Sequence, residues 1–569
     1  MSSLKDLASL IMVPSLYKDG ELHTVKPLAD ENIIVHPDAT DNNDGFDGST
    51  PSTSSNFTFS RGSNLAATRV DVNGLIEKGR ENLVLQGSDI STQSGSWSAN
   101  QGGVTTQNAA TSPIGTNTAS QITANGSNTY SGVRDAGIVM GALRYTYSVY
   151  LKAQSGTPDI RLTCYDGVTF HQQDFSITTE WERYSITFTP TAGTHNIYIT
   201  SQQAVSWYAW GAQFELGLVA TDYIETGAST AQAGILEDMP RLDYSGGASC
   251  PSLLLEPQRS NQNNHSEYFG GWTANATITA NAGISPEGVQ NAYNIASNSG
   301  VGNGILKIMG VLSSTQYVCS LYVKSAGATT GKLRLFDGST GASTTTTFTP
   351  TSEWQRVEVT RTSGSSTFQF RVDIHSNDGD LLIYGAQLEA GSYPTSYIPT
   401  YGTSQTRSKE GANLTGLSGV FGSSSSTTFI EIDIPPSGSL SPTGVWTLTA
   451  ATDTSNFISV CQFDGGITTP RIALYIGGVA IIDQYLSTPL SAGTHKVCLA
   501  YEDGRQKLFI DGVEELSLTA SFNYVEFTKL SINDAAWALG NNGGPYSNKQ
   551  ALVFPTALTD SECIALTTL

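Results

Sequence analysis

Charged residues, and basic residues above all, are scarce in this chain. Only 14% of its 569 residues are charged, and 50 acidic residues against 29 basic residues leave a net charge of −21 at pH 7. Proteins that bind nucleic acid cluster Lys and Arg to neutralise phosphate groups. The composition therefore excludes nucleic acid as an expected partner.

Long apolar segments are also absent. No run reaches the roughly 18 consecutive apolar residues that predict a membrane-spanning helix, so membrane insertion is not expected. Near the start of the chain an apolar stretch extends only from Leu7 to Val13, is interrupted by Ser9 and follows the acidic Asp6. That pattern does not predict a secretory signal, which begins with a basic segment.

Cysteines are few and show no paired spacing. They stand at Cys164, Cys250, Cys319, Cys461, Cys498 and Cys563. The absence of a Cys-x-x-Cys motif argues against a zinc site and against a disulfide framework. Free, mostly buried thiols indicate a protein made in a reducing cytosol.

Glycine and aromatic residues, by contrast, are abundant. The chain contains 57 Gly, 24 Tyr, 20 Phe and 8 Trp, and its long stretches are rich in Ser, Thr, Gly and Asn. Such residues favour strands and turns over helices. The many aromatic side chains exclude a disordered chain. We therefore expect an all-β fold divided among several domains.

The middle of the chain is duplicated. Six segments recur in the same order at an offset of about 171–175 residues, which is too long for a solenoid repeat. The recurrences are Trp97–Asn100 as Trp272–Asn275, Ser148–Ala153 as Ser320–Ser325, Tyr165–Gly167 as Phe336–Gly338, Glu180–Arg183 as Glu353–Arg356, Trp210–Glu215 as Tyr384–Glu389, and Thr221–Thr226 as Thr395–Thr400. The small drift in offset predicts two copies of one domain with loops of different length.

Each copy has the periodicity of strands. Tyr184, Ile186 and Phe188, for example, fall on one face of a strand, with Gly- and Asp-containing turns between such runs. Alternation of this kind predicts an antiparallel sandwich, and a copy of about 140 residues suits a two-sheet jelly roll. We assign residues 86–226 and 261–402 to the two tandem jelly-roll modules.

The segments around the modules differ from them. Leu75–Asn82 matches Leu254–Asn261, so residues 227–260 are interpreted as a linker that repeats a short adaptor. Residues 403–569 form a further predicted β-sandwich that ends in a short helix. Thr559 is the expected N-cap of this helix and Glu562 its capping-box partner.

The first 85 residues predict an attachment region rather than a domain. Leu4–Met12 suggests one short helix stopped by Pro14, and residues 37–55 are polar and rich in turn formers. A segment with so few apolar residues cannot bury a core of its own. We expect it to pack on a partner.

Several of these strings resemble a broad group of tailed-bacteriophage virion proteins. They are Phe59–Val70, Gly74–Glu77, Arg80–Leu83, Pro240–Gly247, Cys250–Asn261, Tyr384–Glu389 and Tyr393–Pro399. The C-terminal hairpin and helix resemble the laminin-G-like, concanavalin-type lectin sandwich. The resemblance implies a fibre or spike, usually a homotrimer, whose jelly rolls are similar to carbohydrate-binding modules. It also implies that residues 1–85 attach to other virion proteins.

Catalytic motifs are not supported. Glu431 and Asp433 share one side of a strand, but sandwich glycosidases need a further carboxylate where this chain has Pro436. A Gly-x-Ser-x-Gly elbow is missing too. We therefore expect no enzymatic activity.

Aromatic side chains are the candidate sugar contacts, because a ring can stack on the apolar face of a pyranose. Trp207 aligns with Leu381, so an aromatic residue at this position belongs to the first copy alone. In the C-terminal sandwich a glycine-rich loop carries four further candidates, Trp537, Asn541, Asn542 and Tyr546. For all five, the alternative is a purely structural role in the core or in the loop.

No motif in the sequence predicts a metal site. The segment Asp41–Gly48 looks like a calcium loop, but Phe46 stands where such a loop needs Gly. The seven His are scattered and show no His-x-x-x-His spacing. No cofactor is expected, and a structural calcium ion in one of the sandwiches is left open.

The leading hypothesis is a bacteriophage tail fibre or spike that binds host-surface glycans and is made in the bacterial cytoplasm. In it, residues 1–85 attach to the virion, the jelly rolls are spacers or weak binders, and the C-terminal sandwich is the distal head. One alternative is a head or collar fibre, or a capsid decoration protein, with a structural or weakly adhesive role. A glycan depolymerase is the third and least favoured.

Overall fold

Most of the chain folds into three β-sandwiches, which confirms the all-β architecture. The computed structural model describes residues 7–8, 10–12, 24–25, 58–61, 65–127, 130–236, 239–247, 251–297, 304–374, 378–422, 424–434, 443–450, 453–463, 469–487, 489–533 and 546–569. Ahead of the first sandwich, the described residues form six short strands: β1 (Leu10–Met12), β2 (Thr24–Val25), β3 (Thr58–Ser60), β4 (Thr68–Val70), β5 (Ile76–Lys78) and β6 (Arg80–Asn82).

The first module contains ten strands. They are β7 (Trp97–Asn100), β8 (Val104–Ala110), β9 (Ala119–Thr123), β10 (Ser131–Met140), β11 (Tyr145–Ala153), β12 (Asp159–Tyr165), β13 (Phe170–Ser176), β14 (Glu182–Phe188), β15 (Gly193–Ser201) and β16 (Ser206–Leu216). They form two antiparallel five-stranded sheets, ordered β13-β12-β15-β10-β7 and β14-β11-β16-β9-β8. Inward side chains such as Tyr147, Leu162, Ile199 and Phe214 fill the space between the sheets.

Between the two modules, the part of the chain that the structure describes forms four short strands: β17 (Ala231–Ala233), β18 (Leu242–Asp243), β19 (Ser252–Leu255) and β20 (Arg259–Asn261). A single turn of 3-10 helix, Ser245–Gly247, lies between β18 and β19. The strands β6 and β20, which come from the repeated adaptor, each pair with a strand that follows the module they introduce.

The second module repeats the first. Its strands are β21 (Thr273–Ala274), β22 (Thr277–Gly283), β23 (Ala292–Ala296), β24 (Gly304–Gly310), β25 (Gln316–Ala326), β26 (Gly331–Phe336), β27 (Ser343–Phe348), β28 (Gln355–Thr362), β29 (Thr367–Ile374) and β30 (Asp380–Ala390). Their order, β21-β24-β29-β26-β27 and β22-β23-β30-β25-β28, matches the first module strand for strand. Trp97 and its counterpart Trp272 are both buried in their cores. The duplication inferred from the sequence is therefore a duplication of topology.

The C-terminal sandwich is built from two larger sheets. They follow β31 (Gln405–Arg407), which pairs with β20 in a separate two-stranded sheet. The sandwich's own strands are β32 (Gly411–Thr415), β33 (Ser425–Ile434), β34 (Thr443–Ala450), β35 (Asp453–Phe463), β36 (Arg471–Ile476), β37 (Val479–Tyr485), β38 (Gly493–Glu502), β39 (Arg505–Ile510), β40 (Val513–Leu518), β41 (Lys529–Ile532) and β42 (Tyr546–Phe554). The helix α1 (Asp560–Thr567) follows, and Thr559 and Glu562 form the expected capping box.

Segments from elsewhere in the chain complete the C-terminal sandwich. Strand β42 pairs with β33 on one side; on the other it pairs with β19 and, further along, with β1. In the second sheet β3 adds to β32. Met12 is fully buried in the shared core. These added strands satisfy backbone groups that an exposed sheet edge would leave unpaired.

This arrangement corrects three expectations. Leu10–Met12 is a strand rather than the end of a helix, because its backbone pairs with β42 instead of with itself. The C-terminal sandwich is not remote from the N-terminal region, since β1 and β3 belong to its sheets. The predicted linker also contributes β18 and β19 to that sandwich rather than only connecting modules.

A buried polar network explains why the repeated motifs recur. In the first module Glu215 Oε1 accepts hydrogen bonds from Gln213 Nε2 at 2.6 Å and from the Thr221 N–H at 2.9 Å. In the second module Glu389 Oε2 accepts the equivalent bonds from Gln387 Nε2 at 2.7 Å and from the Thr395 N–H at 2.9 Å. A buried carboxylate is tolerated only when it is paired in this way. The repeated motifs therefore form the same hydrogen bonds between the last strand of each module and the segment that follows it.

Five buried charged residues, which we call the junction cluster, connect the parts of the chain. They are Arg61, Arg241, Glu256, Arg407 and Glu410. Arg241 donates to Glu410 Oε1 at 2.7 Å and to Glu256 Oε2 at 2.8 Å, and Arg407 pairs with Glu256 at 2.7 Å. Since these residues come from the N-terminal region, the linker and the C-terminal sandwich, the cluster fixes their relative positions.

A second buried ion pair docks the adaptor on the second module. Lys78 Nζ lies 2.8 Å from Glu267 Oε1 and 2.6 Å from Glu287 Oε1. Burial by itself lowers the pKa of Lys78, but the two carboxylates outweigh it and raise that pKa well above its usual range. The lysine is therefore held as a cation, and the adaptor is a fixed connection rather than a flexible tether.

None of the helices within the described residues is both long enough and apolar enough to cross a lipid bilayer.

Candidate functional site

An open cavity of about 450 Å³ lies on the outer face of the first module. Nine residues line it, and we call this surface the first-module face: Asn100, Gln101, Tyr130, Arg161, Thr163, Phe170, Gln172, Tyr198 and Thr200. Six of the nine come from the neighbouring strands β12, β13 and β15. The sheet itself therefore forms the floor of the site.

Strand register brings these side chains together. Thr163 stands opposite Gln172 on one neighbouring strand and opposite Tyr198 on the other. Leu162 and Ile199, the chain neighbours of Thr163 and Tyr198, point into the core. Because side chains alternate along a strand, burying one set places the other set on the outer face.

Aromatic rings provide the apolar part of the face. Phe170 is 58% exposed and stacks on Tyr165 with ring centroids 4.3 Å apart. The carbonyl of Tyr130 accepts a hydrogen bond from Asn100 Nδ2 at 2.7 Å, which fixes its backbone. Tyr198 lies on β15 between these two aromatic positions and receives a hydrogen bond from Asn196 at 3.3 Å. The face thus presents rings of fixed position to the solvent.

A charged pair provides the polar part. Arg161 Nε lies 2.7 Å from Asp174 Oδ1, and its Nη2 lies 2.5 Å from Oδ2. These hydrogen bonds lower the pKa of Asp174 and raise the pKa of Arg161. The guanidinium also lies 3.9 Å from the centroid of the Tyr130 ring. Arg161 is consequently held in one orientation, with its charge at the cavity.

The loop beside the face is held by a second aspartate. Although burial raises the pKa of Asp166, hydrogen bonds from the Thr169 and Thr191 N–H groups, and from His171, bring the pKa well below its usual range. This ionised carboxylate fixes the turn between β12 and β13. This turn sets the position of Phe170, which begins β13.

Close packing at the floor requires glycine. A Cβ atom on Gly132 would lie 2.2 Å from the Ile199 carbonyl oxygen, and the residue has a φ of 153°. The second module has the same feature, since a Cβ on Gly304 would lie 2.3 Å from the Val372 carbonyl oxygen. Both modules therefore need glycine where these neighbouring strands approach each other closely.

The arrangement suits a carbohydrate. Rings of fixed position can stack on the apolar face of a sugar, while Arg161, Gln172 and Asn100 offer hydrogen-bond donors and acceptors for hydroxyl groups. Asp174 lies beside the cavity, and both of its carboxylate oxygens accept hydrogen bonds from the lining residue Arg161. This geometry can bind a glycan.

Of the residues proposed from the sequence, the one whose side chain the structure describes, Trp207, does not line this site. Trp207 has no exposed surface and lies in the core of the first module, so its assignment as a ligand contact is corrected to a packing role. Trp537, Asn541 and Asn542 lie outside the described residues, and Tyr546 is described only as the first residue of β42. Their role in a sugar site stays a prediction.

The sequence nevertheless contained a signal for the first-module face. Tyr198 alternates with Ile197 and Ile199, which places its ring on the side of the strand away from the core. Phe170 follows a turn and begins a strand rich in polar residues. An aromatic residue at an outward position of a patterned strand is a stronger indicator of a sugar platform than a tryptophan at an inward position.

The described residues offer no evident metal centre. Within them, no group of three or more His, Cys, Asp or Glu side chains is close enough to hold a metal ion. The segment Asp41–Gly48, considered earlier for calcium, lies outside the described residues.

Comparisons with known proteins leave the family unassigned. No family model matches the chain, and no curated protein matches it. Among solved structures, the tandem CBM22-1–CBM22-2 domain of Paenibacillus barcinonensis Xyn10C is 14% identical, covers 58% of this chain and 100% of its own, and has a TM-score of 0.23.

Two further solved structures are similarly distant. The Ruminococcus gnavus IT-sialidase CBM40 bound to α2,3-sialyllactose is 14% identical, with 26% of this chain and 84% of its own covered and a TM-score of 0.22. The enzymatically active domain of bacteriophage CBA120 tailspike protein 4 is 12% identical, with 22% and 21% covered and a TM-score of 0.19. Such scores assign no function. From its own strand order, the chain is an all-β protein of two duplicated sandwiches and a larger third one.

Proposed function

We propose that this chain is a non-catalytic glycan-binding protein carried as a fibre or spike on the virion of a tailed bacteriophage. The observation that supports glycan binding is the first-module face, where Tyr130, Phe170 and Tyr198 surround an open cavity beside the fixed guanidinium of Arg161. The virion assignment is supported by the resemblance of segments such as Phe59–Val70, Pro240–Gly247 and Cys250–Asn261 to phage virion proteins.

Binding without hydrolysis fits the charges on this face. Glycosidases need two carboxyl groups of different protonation placed on either side of the scissile bond. Here the carboxylate of Asp174 is engaged by Arg161, and its pKa lies below the usual range, so it is a poor proton donor. A reducing-end assay on host polysaccharide incubated with the purified chain tests this point. Release of new reducing ends above a heat-inactivated control would contradict it.

A glycan array with the full-length chain tests the binding site. We expect Tyr198→Ala and Phe170→Ala each to weaken binding of the best glycan by about 10-fold or more, because each removes a stacking surface. The matched control is Tyr208→Ala, which removes a tyrosine from β16 in the opposite sheet of the same module. Equal losses in all three variants, or none, would contradict the assignment of the first-module face.

Immunogold labelling of purified particles tests the virion location. We expect label at the tail on intact virions, and equal labelling of particles that carry Tyr198→Ala. Since β1 and β3 pair with the C-terminal sandwich, we place the attachment at the N-terminal region together with that sandwich. Label confined to the head or collar would favour the alternative of a decoration protein. Particles free of label would refute the virion assignment.

A further inference from the structure

The second module carries the same sheet as the first but has different side chains on its outer face. The register of β26, β27 and β29 aligns each outward residue with one on the first-module face. Tyr198 is replaced by Arg371, Thr163 by Arg334 and Phe170 by Ser343. Arg161 is replaced by Lys332, which retains a positive charge. At these positions one aromatic ring is exchanged for a cation, the other ring for a serine, and a threonine for a second cation.

These cations lie close together. Arg334 stands directly opposite Arg371 across the β26–β29 pair, and Lys332 stands opposite Asp373. Asp373 is the nearby counter-charge, with its carboxylate oxygens 3.4 Å from Arg334 Nη2 and 3.9 Å from Arg371 Nη2. Three positive charges thus share one negative charge in a protein whose net charge is −21.

Such a placement is unfavourable without a ligand. Like charges directly opposite each other on one face of a sheet repel and destabilise the pair. The Arg334 and Arg371 side chains are 28% and 25% exposed, so they are partly removed from water yet reachable from it. Among the described residues, neither Nε atom has a hydrogen-bond partner. The Nε atom of each guanidinium therefore has no hydrogen-bond acceptor in the free protein.

The residues around the two arginines indicate that a sugar could supply these hydrogen-bond acceptors. Ile308, 63% exposed, and Leu306 lie on the adjoining strand β24, and Leu306 stands opposite Arg371. Thr345 stands opposite Arg334 on β27. Cations, apolar carbons and hydroxyl groups on one surface match the carboxylate, the C–H groups and the hydroxyl groups of an acidic sugar. Arginine is suited to a carboxylate because its planar fork can donate two parallel hydrogen bonds.

We propose that the outer face of the second module, centred on Lys332, Arg334 and Arg371, binds glycans that carry carboxylate groups, such as uronate or sialate polymers. The inference rests on the proposed glycan-binding function and assigns the two modules different ligand classes. The first module takes neutral sugars by stacking, and the second takes acidic sugars by charge.

The test uses the full-length protein with polygalacturonate, hyaluronan and polysialic acid, each paired with its carboxyl-reduced form. We expect at least one acidic polymer to bind, its reduced form to bind about 10-fold or more weakly, and added NaCl to weaken binding. Arg371→Gln and Arg334→Gln should each cause a similar loss. Tyr198→Ala should leave acidic binding unchanged.

A thermal unfolding measurement separates binding from structure. Because Arg334 and Arg371 repel each other, we expect Arg371→Gln to unfold at the same temperature as the wild type or higher. A lower unfolding temperature together with lost binding would assign Arg371 a structural role and overturn the proposal.

Four binding results would also overturn the proposal. They are no binding of any acidic polymer, equal binding of the carboxyl-reduced forms, and unchanged binding by the Arg371→Gln variant. The fourth is equally tight binding of dextran sulfate, which would indicate unselective binding of polyanions. The glycan-array test distinguishes failure of the proposed function itself, because Tyr198→Ala would then leave the binding of neutral glycans unchanged.

Discussion

Replacing Glu410 with Gln should strongly destabilise the protein, because Glu410 is the centre of the junction cluster. Its Oε1 accepts hydrogen bonds from Arg61 at 3.1 Å and from Arg241 at 2.7 Å, while Oε2 accepts from Arg241 and from the Glu256 N–H. The side chain is only 4% exposed. Gln keeps the shape but removes the charge and turns an acceptor into a donor.

The charge balance gives the magnitude. The cluster holds three guanidinium groups against two carboxylates, and Glu410→Gln leaves Glu256 alone to balance all three. Removing one partner of a buried ion pair typically costs about 3–5 kcal/mol. For a cooperative unit of 150–250 residues, each kcal/mol lowers the unfolding temperature by about 2–4 °C. We therefore expect the transition of the C-terminal sandwich to fall by roughly 6–20 °C.

Scanning calorimetry of the full chain is the suitable assay, with Asp483→Asn as the matched control. Asp483 pairs with Arg471 on an exposed part of the same sandwich, at 2.5 Å and with its side chain 31% exposed. Exposed pairs contribute about 0–1 kcal/mol, so the control should move the transition little. If the two variants shift the transition equally, the junction cluster does not hold the domains together as argued.

The acid side of the stability curve offers a second test of the same reasoning. Burial alone raises the pKa of Glu256, but Arg407 and Arg241 outweigh it and lower the pKa to about 2, and the pKa of Glu410 is lowered too, mainly by Arg241. A carboxyl group whose pKa is depressed on folding stabilises the protein above its unfolded pKa, near 4.3. That stability is lost as pH falls from there toward 2. The Glu410→Gln variant should show a shallower loss over this range.

Three further predictions concern packing, capping and the N-terminal strands. Trp207→Ala should destabilise the first module by about 3–5 kcal/mol through the cavity it leaves, and a calorimetric change below 1 kcal/mol would disprove the core placement. Thr559→Ala should cost about 1 kcal/mol in urea unfolding, because the cap of α1 loses its acceptor, whereas Thr559→Ser should cost much less. Deleting residues 1–60 should lower the unfolding temperature of the C-terminal sandwich, because Met12 leaves its core and β42 loses a neighbour; an unchanged transition would mean that β1 and β3 add nothing to it.

Local patterns in the sequence were enough to predict the strands and the duplication. Alternation such as that of Tyr184, Ile186 and Phe188 depends only on which face of a strand is buried, and the repeated strings mark equivalent strands. The capping box at Thr559 and Glu562 is likewise a short-range feature, since both partners lie within one turn of helix. Signals of this kind do not depend on what the rest of the chain does.

Long-range pairing had to come from the tertiary structure. Leu10–Met12 reads as helical by itself, but the unpaired edge of β42 makes it a strand. Arg241 and Glu410 are separated by 169 residues, and no local pattern announces that they meet in a buried cluster.

The candidate sites show the same division. Trp207 looked like a ligand contact because its aromatic ring belongs to one copy only, yet the alternation of its strand places it inside. The faces built from Tyr198 and from Arg371 became comparable only once the register across three strands was known. Composition and periodicity determined which elements form; the pairing of distant strands decided which side chains share a surface, because that depends on contacts between residues far apart in the chain.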